Sequence, residues 1–486
     1  MGGDMISQLC LLLKTFRQVF PRSATFEWFA VAVFGFIVRL DHHGVSSSIR
    51  WLRIFPGAYE SFLAFFRSDA LKIDKIVTHW LKLIMQQGAS RTRSGAFVLI
   101  GDGIKVAKEA KFMPGVKKLH QESENTSKAP WIFGHHFGVL GLLVANRDKA
   151  FCVPAIAELH EGAVALRQLQ QKNADACAKR TEKITVVTLM ANLAKNIAQK
   201  LNEPCVAVLD AYFAVGPTFL IAKTLRGHSG QRMLHIVTRA KNNIVAREKY
   251  LSSYSGRGRP AKQGKKIKLE NLFSTRAADF STVSIKTYGE VKSLKILCLD
   301  LIWQSIGETL RFVLVKDGAS TFILICSDLS MEPDEIIELY ASRFKIEVTF
   351  KMVKHILGGL YYHFWTKAWP KNLDRALLEA DLEHMTDRNK KLITNTMNAI
   401  EGFVNIALIS TGMLQILALQ QADHIFQIHN WWMRTYPRNV PSEEMVKTVI
   451  QHEFYHNFRK FKHTAIYRII RNKRSKIKPD LVKIAA

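Results

Sequence analysis

The spacing of apolar and polar residues divides the chain into a helical start, a strand-rich middle and a helical end. Over residues 1–92 the apolar positions recur at helical spacing. Ala24–Leu40 is a nearly unbroken apolar helix, Asp41–Gly44 (DHHG) reads as a tight turn, and SSSIRWLRIF predicts a second helix with Ser46 or Ser47 as cap and Arg50 and Arg53 upon it. Helix, glycine turn and capped basic helix is the layout of a helix-turn-helix, and equally of an ordinary helical hairpin. Two more helices follow over Ala58–Arg67 and Ala70–Gln87, and the polar, basic Gln86–Gly95 reads as a linker. The pattern then turns to short apolar runs. Ala96–Gly103 is a strand ending in Asp102 between two glycines, and a basic connection leads to strands over Trp131–Val144 and Ala150–Leu159. Helices over Gly162–Arg180 and Leu189–Leu201 precede a second buried strand, Cys205–Phe213, with Asp210 near its end. GPTFLIAKTL opens a helix, and Arg232–Lys241 is a strand delivering Arg239 and Lys241.

Residues 242–320 make a detour. STVSIKTY, LKILCLDLIW and TLRFVLVKD alternate with turn residues, predicting an antiparallel insertion, and Thr321–Leu329 returns the chain to the main sheet. Asp328 ends that strand, two residues before a helix cap, where a local turn role is the simpler reading. Ser330–Gly358 then predicts one long helix, with Ser330 as N-cap, Pro333 in the first turn, acids at the positive end of the dipole, and Gly358 as the stop. At about 100° per residue, with Tyr340 as zero, Arg343 projects near −60°, Glu347 near −20° and Lys354 near −40°, one stripe roughly 60° wide. Phe344, Val348, Phe350 and Val353 surround it. Beyond lie an aromatic, basic stretch (YYHFWTKAWP), charged helices to about Asn398, an apolar helix over Ala399–Ala422, and a basic, aromatic-rich tail over Phe454–Pro479 suited to phosphate contact.

Composition sharpens this picture. The chain has 486 residues, enough for several domains, and 48% hydrophobic residues, enough for an ordered interior. Its net charge is +28 and its pI near 9.8, the electrostatics of a protein that binds a polyanion. The basic residues spread along the whole chain, and the longest apolar runs, Trp28–Val38 and Phe403–Leu419, fall short of a spanning helix or are interrupted, so no membrane is expected. No secretion signal is read at the start. The six cysteines (Cys10, Cys152, Cys177, Cys205, Cys298, Cys326) have no CxxC spacing and read as reduced core residues of a cytoplasmic protein. His135 and His136, adjacent on a strand, face opposite ways and do not suggest a joint metal site.

Asp102, Asp210 and Glu347 are the residues with chemistry to offer. Two strand-end carboxylates and a helix carboxylate supply oxygen-only ligands, which suit two Mg2+ or Mn2+ ions and in-line displacement at phosphorus. Tyr-x2-Arg-x3-Glu-x6-Lys over Tyr340, Arg343, Glu347 and Lys354 resembles the signature of bacterial insertion-sequence transposases of the DDE type, and the resemblance extends from about Ala96 to Trp369. The order strand-Asp, strand, strand, helices, strand-Asp, helix, strand is similar to a ribonuclease H-like fold. The 347 − 210 = 137 residues before the glutamate match a β insertion in such a core.

What the resemblance implies is specific. Asp102, Asp210 and Glu347 would be catalytic and metal-binding, two ions per active site, and Tyr340, Arg343 and Lys354 would contact DNA; Lys351 and Arg239 are further basic candidates for DNA contact beside them. Related enzymes brace a DNA hairpin with a tryptophan of the insertion, a role for which Trp303 is the candidate. Partners would be double-stranded DNA, as terminal inverted repeats and target, and a second copy in a synaptic dimer; the setting would be the bacterial cytoplasm and nucleoid. The expected fold is α/β, a ribonuclease H-like mixed sheet interrupted by an antiparallel β insertion and flanked by helical domains. The expected division is 1–92 helical and DNA-binding, 93–245 first part of the core, 246–320 insertion, 321–370 last strand and glutamate helix, and 371–486 helical and basic. Arg257 and Arg259, in SGRGRPAKQGKKIKL, match an Arg-Gly-Arg segment that lies in a narrow minor groove; a loop touching phosphates without choosing sequence is the preferred reading. A ribonuclease H-like nuclease without strand transfer, or a catalytically silent DNA-binding derivative, are the alternatives to cut-and-paste transposition through a hairpin.

Overall fold

Alternate residues of the central strands face two different helical layers, and this alternation organises the molecule. The computed structural model describes residues 4–108, 110–121, 129–146, 149–174, 184–249, 264–287, 290–371, 373, 375, 377–428 and 440–474. They form a mixed α/β structure around one sheet of parallel and antiparallel strands.

Five helices come first: α1 (Met5–Thr15), α2 (Ser23–Val38), α3 (Gly44–Trp51), α4 (Tyr59–Arg67) and α5 (Ile73–Gln86). The second starts near its expected place, but α3 begins at Gly44 and not after a serine cap. Ser46 and Ser47 spend their hydroxyls on the carbonyls of His43 and Asp41, and Arg50 is held by Asp41 at 2.7 Å.

The strands are β1 (Phe97–Ala107), β2 (Lys117–His120), β3 (Trp131–Asn146), β4 (Lys149–Leu159), β5 (Cys205–Leu209), β6 (Leu234–Arg239), β7 (Val245–Arg247), β8 (Lys266–Lys268), β9 (Ser281–Thr287), β10 (Glu290–Trp303), β11 (Glu308–Asp317) and β12 (Ser320–Cys326). β1 runs four residues past Gly103, because β3 extends beside it as far as Gly134; Asp102 is therefore inside the strand and not at its end. β2 forms within the stretch expected as a plain connection. Parallel pairing joins β1 to β5 and β5 to β6, while β3 and β4 extend the sheet antiparallel on the β1 side. On the other side β12 pairs with β6, so the insertion is continuous with the main sheet through β11, β10, β7 and β8.

Between β4 and β6 lie α6 (Ala163–Ala174), α7 (Val186–Leu201) and α8 (Gly216–Lys223), and the short α9 (Leu272–Thr275) lies in the insertion. Leu99, Ala207 and Leu209 share a core with Met190 and Ile197 of α7. Val98, Ile100, Val206 and Val208 share another with Ile336, Leu339 and Ile346, which follow β12. Strand geometry thus fixes Asp102 and Asp210, the next even positions, to the second face.

The expected single helix over Ser330–Gly358 is in three pieces: α10 (Pro333–Ser342), α11 (Lys345–Lys351) and a wide π-turn over Met352–Ile356. Glu332 and not Ser330 is the N-cap residue, since Ser330 donates its N–H and hydroxyl to Asp328 in a local turn. Gly358, at φ +63°, ends the helix as its freedom to adopt left-handed backbone allows.

The rest comprises α12 (Glu379–Glu383), α13 (Asp387–Gln420), α14 (Ala422–Ile428), α15 (Glu443–Asn457) and α16 (Ala465–Arg474). The charged and apolar segments expected as separate helices are one continuous α13. It covers edge strand β4, and Asn405 satisfies that edge by exchanging hydrogen bonds with the N–H and C=O of Ala157 at 2.9 and 2.8 Å. By length and composition α13 qualifies to cross a membrane, but 94% of its most apolar window is buried inside the protein. Stretches 1–92 and 371–486 pack together here: α2 lies against α13 and α15, and the Glu453 carboxylate accepts from the N–H groups of Met5 and Ile6.

Candidate active site

Parallel pairing of β1 with β5 ends at Gly101 opposite Leu209, so Asp102 and Asp210 each stand one residue past the last pair. Neighbouring strands lie about 4.8 Å apart, which sets the two carboxylates side by side. The helical segment on that face brings Arg343 and Glu347. The Arg343 guanidinium lies 3.2 Å from an Asp102 oxygen, 3.7 Å from Asp210 and 2.9 Å from Glu347. Three carboxylates from three separate parts of the chain thus converge on one cation whose side chain is 17% exposed.

Between Arg343 and Glu347 the helix tightens. Arg343, Ile346 and Glu347 each donate to the carbonyl three residues back, a pitch of about 120° per residue. With the π-turn that follows, a straight-helix projection does not carry to Lys354. Lys354 lies in the wide turn, exposed, as Lys351 is before it, and among the described residues no acid pairs with either. Tyr340 faces Arg343, Asp210 and Arg239, and burial pushes its phenol pKa up. Thr349 fixes the helix from below by donating to the Cys152 carbonyl at 2.8 Å.

Electrostatics at the site are set by crowding. Burial, above all, raises the Asp102 carboxyl to about 6; the Gly103 N–H and Arg343 oppose that rise, and the charges of Asp210 and Glu347 add to it. Burial alone would lower the Arg343 pKa, but Asp210 and Asp102 outweigh it and the guanidinium is held more firmly charged. Beside the acids opens a cavity of about 660 Å3 lined by Asp210, Arg239, Lys241, Asn242, Tyr340 and Arg343, among others. Arg239 and Lys241, delivered by β6, therefore reach the site; Asn242 was not foreseen, since a turn asparagine carries no distinguishing signal.

Other expected positions fall elsewhere. Trp303 is 7% exposed, with its ring edge-on to Phe219 at 5.3 Å, and as a core residue at the end of β10 it presents no face to a DNA strand. Arg257, Arg259 and Cys177 lie outside the described residues; the other five cysteines are free thiols. His135 is buried and hydrogen-bonded to the Tyr362 hydroxyl at 2.7 Å and the Pro114 carbonyl at 2.9 Å, a structural role. One contributor was invisible in sequence. Buried Arg39 donates to the carbonyls of Leu357 and Gly358 at 2.6 and 3.0 Å, and Lys447 to Ile356 at 2.8 Å, so two cations from opposite ends of the chain close the negative end of the helical segment that carries Glu347.

The donor set is carboxylate oxygen, the type that suits Mg2+ or Mn2+. Among the described residues no three His, Cys, Asp or Glu side chains stand close enough to share one ion; the acids are spread around Arg343. Asp210 and Glu347 add to the burial that raises the Asp102 pKa, and a divalent cation is the kind of charge that relieves such repulsion. Compared with known protein families and with curated proteins, the chain matches none.

Proposed function

We propose that this chain is a DNA transposase of the DDE type, cutting at insertion-sequence ends and joining them to target DNA. The observation that carries this is the convergence of Asp102, Asp210 and Glu347 on Arg343. The strand order β4-β3-β1-β5-β6, with an acid on β1, an acid just after β5 and a third on a later helix, supports a ribonuclease H-like core, and the strands entering between β6 and β12 support its β insertion. The net charge of +28 supports a nucleic-acid substrate.

In this reading Asp102, Asp210 and Glu347 hold two divalent ions. Bound there, these would activate a water or a 3′ hydroxyl and stabilise the departing oxygen. Arg343 has a second task. Drawn from the carboxylates to a DNA phosphate, it frees the acids and clamps the backbone. Tyr340, Arg239 and Lys241 position the strand along the cavity, and exposed Lys351 and Lys354 meet phosphates farther along the helical segment. Two copies would bring two DNA ends together in the bacterial nucleoid.

The experiment mixes purified protein, Mg2+ and donor DNA carrying its cognate inverted repeats. Cleaved ends joined to target DNA are expected, and Asp102→Ala, Asp210→Ala and Glu347→Ala proteins should each be inert. Intact DNA with the native protein, or unchanged cleavage by the three variants, would sink the proposal; cleavage without joining would make the chain a plain nuclease.

A further inference from the structure

After a turn at Gly359 and Leu360 the chain is neither helix nor strand over 361–366, and burial alternates along it. Tyr362, Phe364 and Thr366 are buried, whereas Tyr361, His363, Trp365 and Lys367 are exposed. The inward side chains fix the segment. Lys108 donates to the carbonyls of Leu360 and Tyr362 at 2.7 and 3.1 Å, Phe364 packs on Phe66 and Phe403, and the Thr366 N–H reaches the Phe112 carbonyl at 2.9 Å. The outward row is therefore a held ledge, with every second side chain exposed.

His363, Trp365 and Lys367 line a cavity of about 900 Å3 together with Arg67 of α4 and Arg388 of α13. Trp365 is 52% exposed. Arg67 donates to the Trp365 carbonyl at 3.3 Å, while its Nε is buried without a partner. Arg67, Lys367 and Arg388 face Glu60 as the lining acid, a clear excess of positive charge. A half-exposed indole set among cations is the chemistry of a strand-binding surface, where bases stack on rings and phosphates meet cations. Duplex bases are stacked and hide their faces, whereas an unpaired strand offers them to a ring. An exposed ring flanked by cations therefore suits a strand whose bases have come apart.

We propose that this ledge binds an unpaired DNA strand, with a base on Trp365 and phosphates on Arg67, Lys367 and Arg388; the choice of DNA as the polymer rests on the function proposed above. The test is fluorescence anisotropy of the full chain with a labelled oligo-dT strand in EDTA, beside a duplex of equal length and an abasic strand. Trp365→Ala should weaken oligo-dT binding about tenfold, Trp365→Phe should retain most of it, and Arg388→Ala should weaken it and flatten its salt dependence. Equal affinity of the wild type for oligo-dT and abasic strand, or unchanged binding by Trp365→Ala, would overturn the proposal. So would a Trp365→Ala protein that binds DNA normally but loses self-association in sedimentation, since a second copy would then be the occupant. Because no metal is present, a chain that binds the strand through Trp365 but never cuts DNA supports the ledge while sinking the transposase reading.

Discussion

Arg343 is the residue on which the site turns. It already supplies positive charge to three carboxylates, so a divalent ion arriving without DNA has to compete with it. Replacing Arg343 by Ala should therefore tighten Mg2+ binding, read by calorimetry on DNA-free protein, while weakening DNA binding; Mg2+ affinity that falls with the substitution would show that the guanidinium supports the metal site and does not rival it. Asp102 yields a prediction of definite sign. Its folded pKa of about 6 lies above its ordinary 3.8, so the folded state favours the protonated form. The associated cost is absent below pH 4, grows as pH rises from 4 to 6, and is complete above that, at up to about 3 kcal/mol by the usual 1.36 kcal/mol per pKa unit. Asp102→Asn should thus raise the melting temperature at pH 7.5, with the gain shrinking towards pH 4. A gain independent of pH would point to packing instead. In sequence both aspartates could be singled out as acids following apolar runs. Their meeting on Arg343 could not, because it depends on the Gly101–Leu209 register and on a helix that arrives more than 130 residues later (347 − 210 = 137).

At the scale of elements, what the sequence revealed best was period and what it hid was context. Strand β5 was legible because both its faces are buried and every residue is apolar. The far half of β1 was not, since Ile104–Ala107 alternates with polar residues as a loop can, and only pairing with β3 makes it a strand. The helical segment carrying Glu347 was legible in extent, yet its change of pitch at Arg343 left no mark on apolar spacing. Its two ends also differ in how they are held. Arg93 pairs with Asp334 at the exposed N-terminal end, and Arg93→Ala should barely move the urea midpoint, since solvent screens such a pair. Arg39 is fully buried at the C-terminal end, where its loss removes a buried donor from the carbonyls of Leu357, Gly358 and Gly44. Arg39→Met should cost about 3 kcal/mol or more in urea unfolding. If the two substitutions cost the same, the buried cap is not what holds the helix end.

Across the whole molecule, the two ends of the chain complete each other. The apolar faces of α1, α2 and α5 share one core with α13 and α15. Trp80 of α5 donates its indole N–H to the Pro154 carbonyl at 2.8 Å, and a Cβ on Gly412 would meet Trp80 at 2.4 Å. An apolar helix such as α2, buried on nearly every side, reads in sequence as part of some interior but does not say whose. Removing residues 1–92 would uncover α13 along much of its length of about 51 Å, at 1.5 Å per residue, and leave Glu453 without the two N–H groups it accepts from. The fragment 93–486 should therefore lack a cooperative thermal transition by circular dichroism and should aggregate in sedimentation. Co-expression with 1–92 as a separate chain should restore both behaviours, because the contacts that join the pieces are packed surfaces and hydrogen bonds, not the connection at residue 92. A 93–486 fragment that melts cooperatively within a few degrees of the full chain would show that the strand-rich middle and the C-terminal helices hold their core without the N-terminal ones.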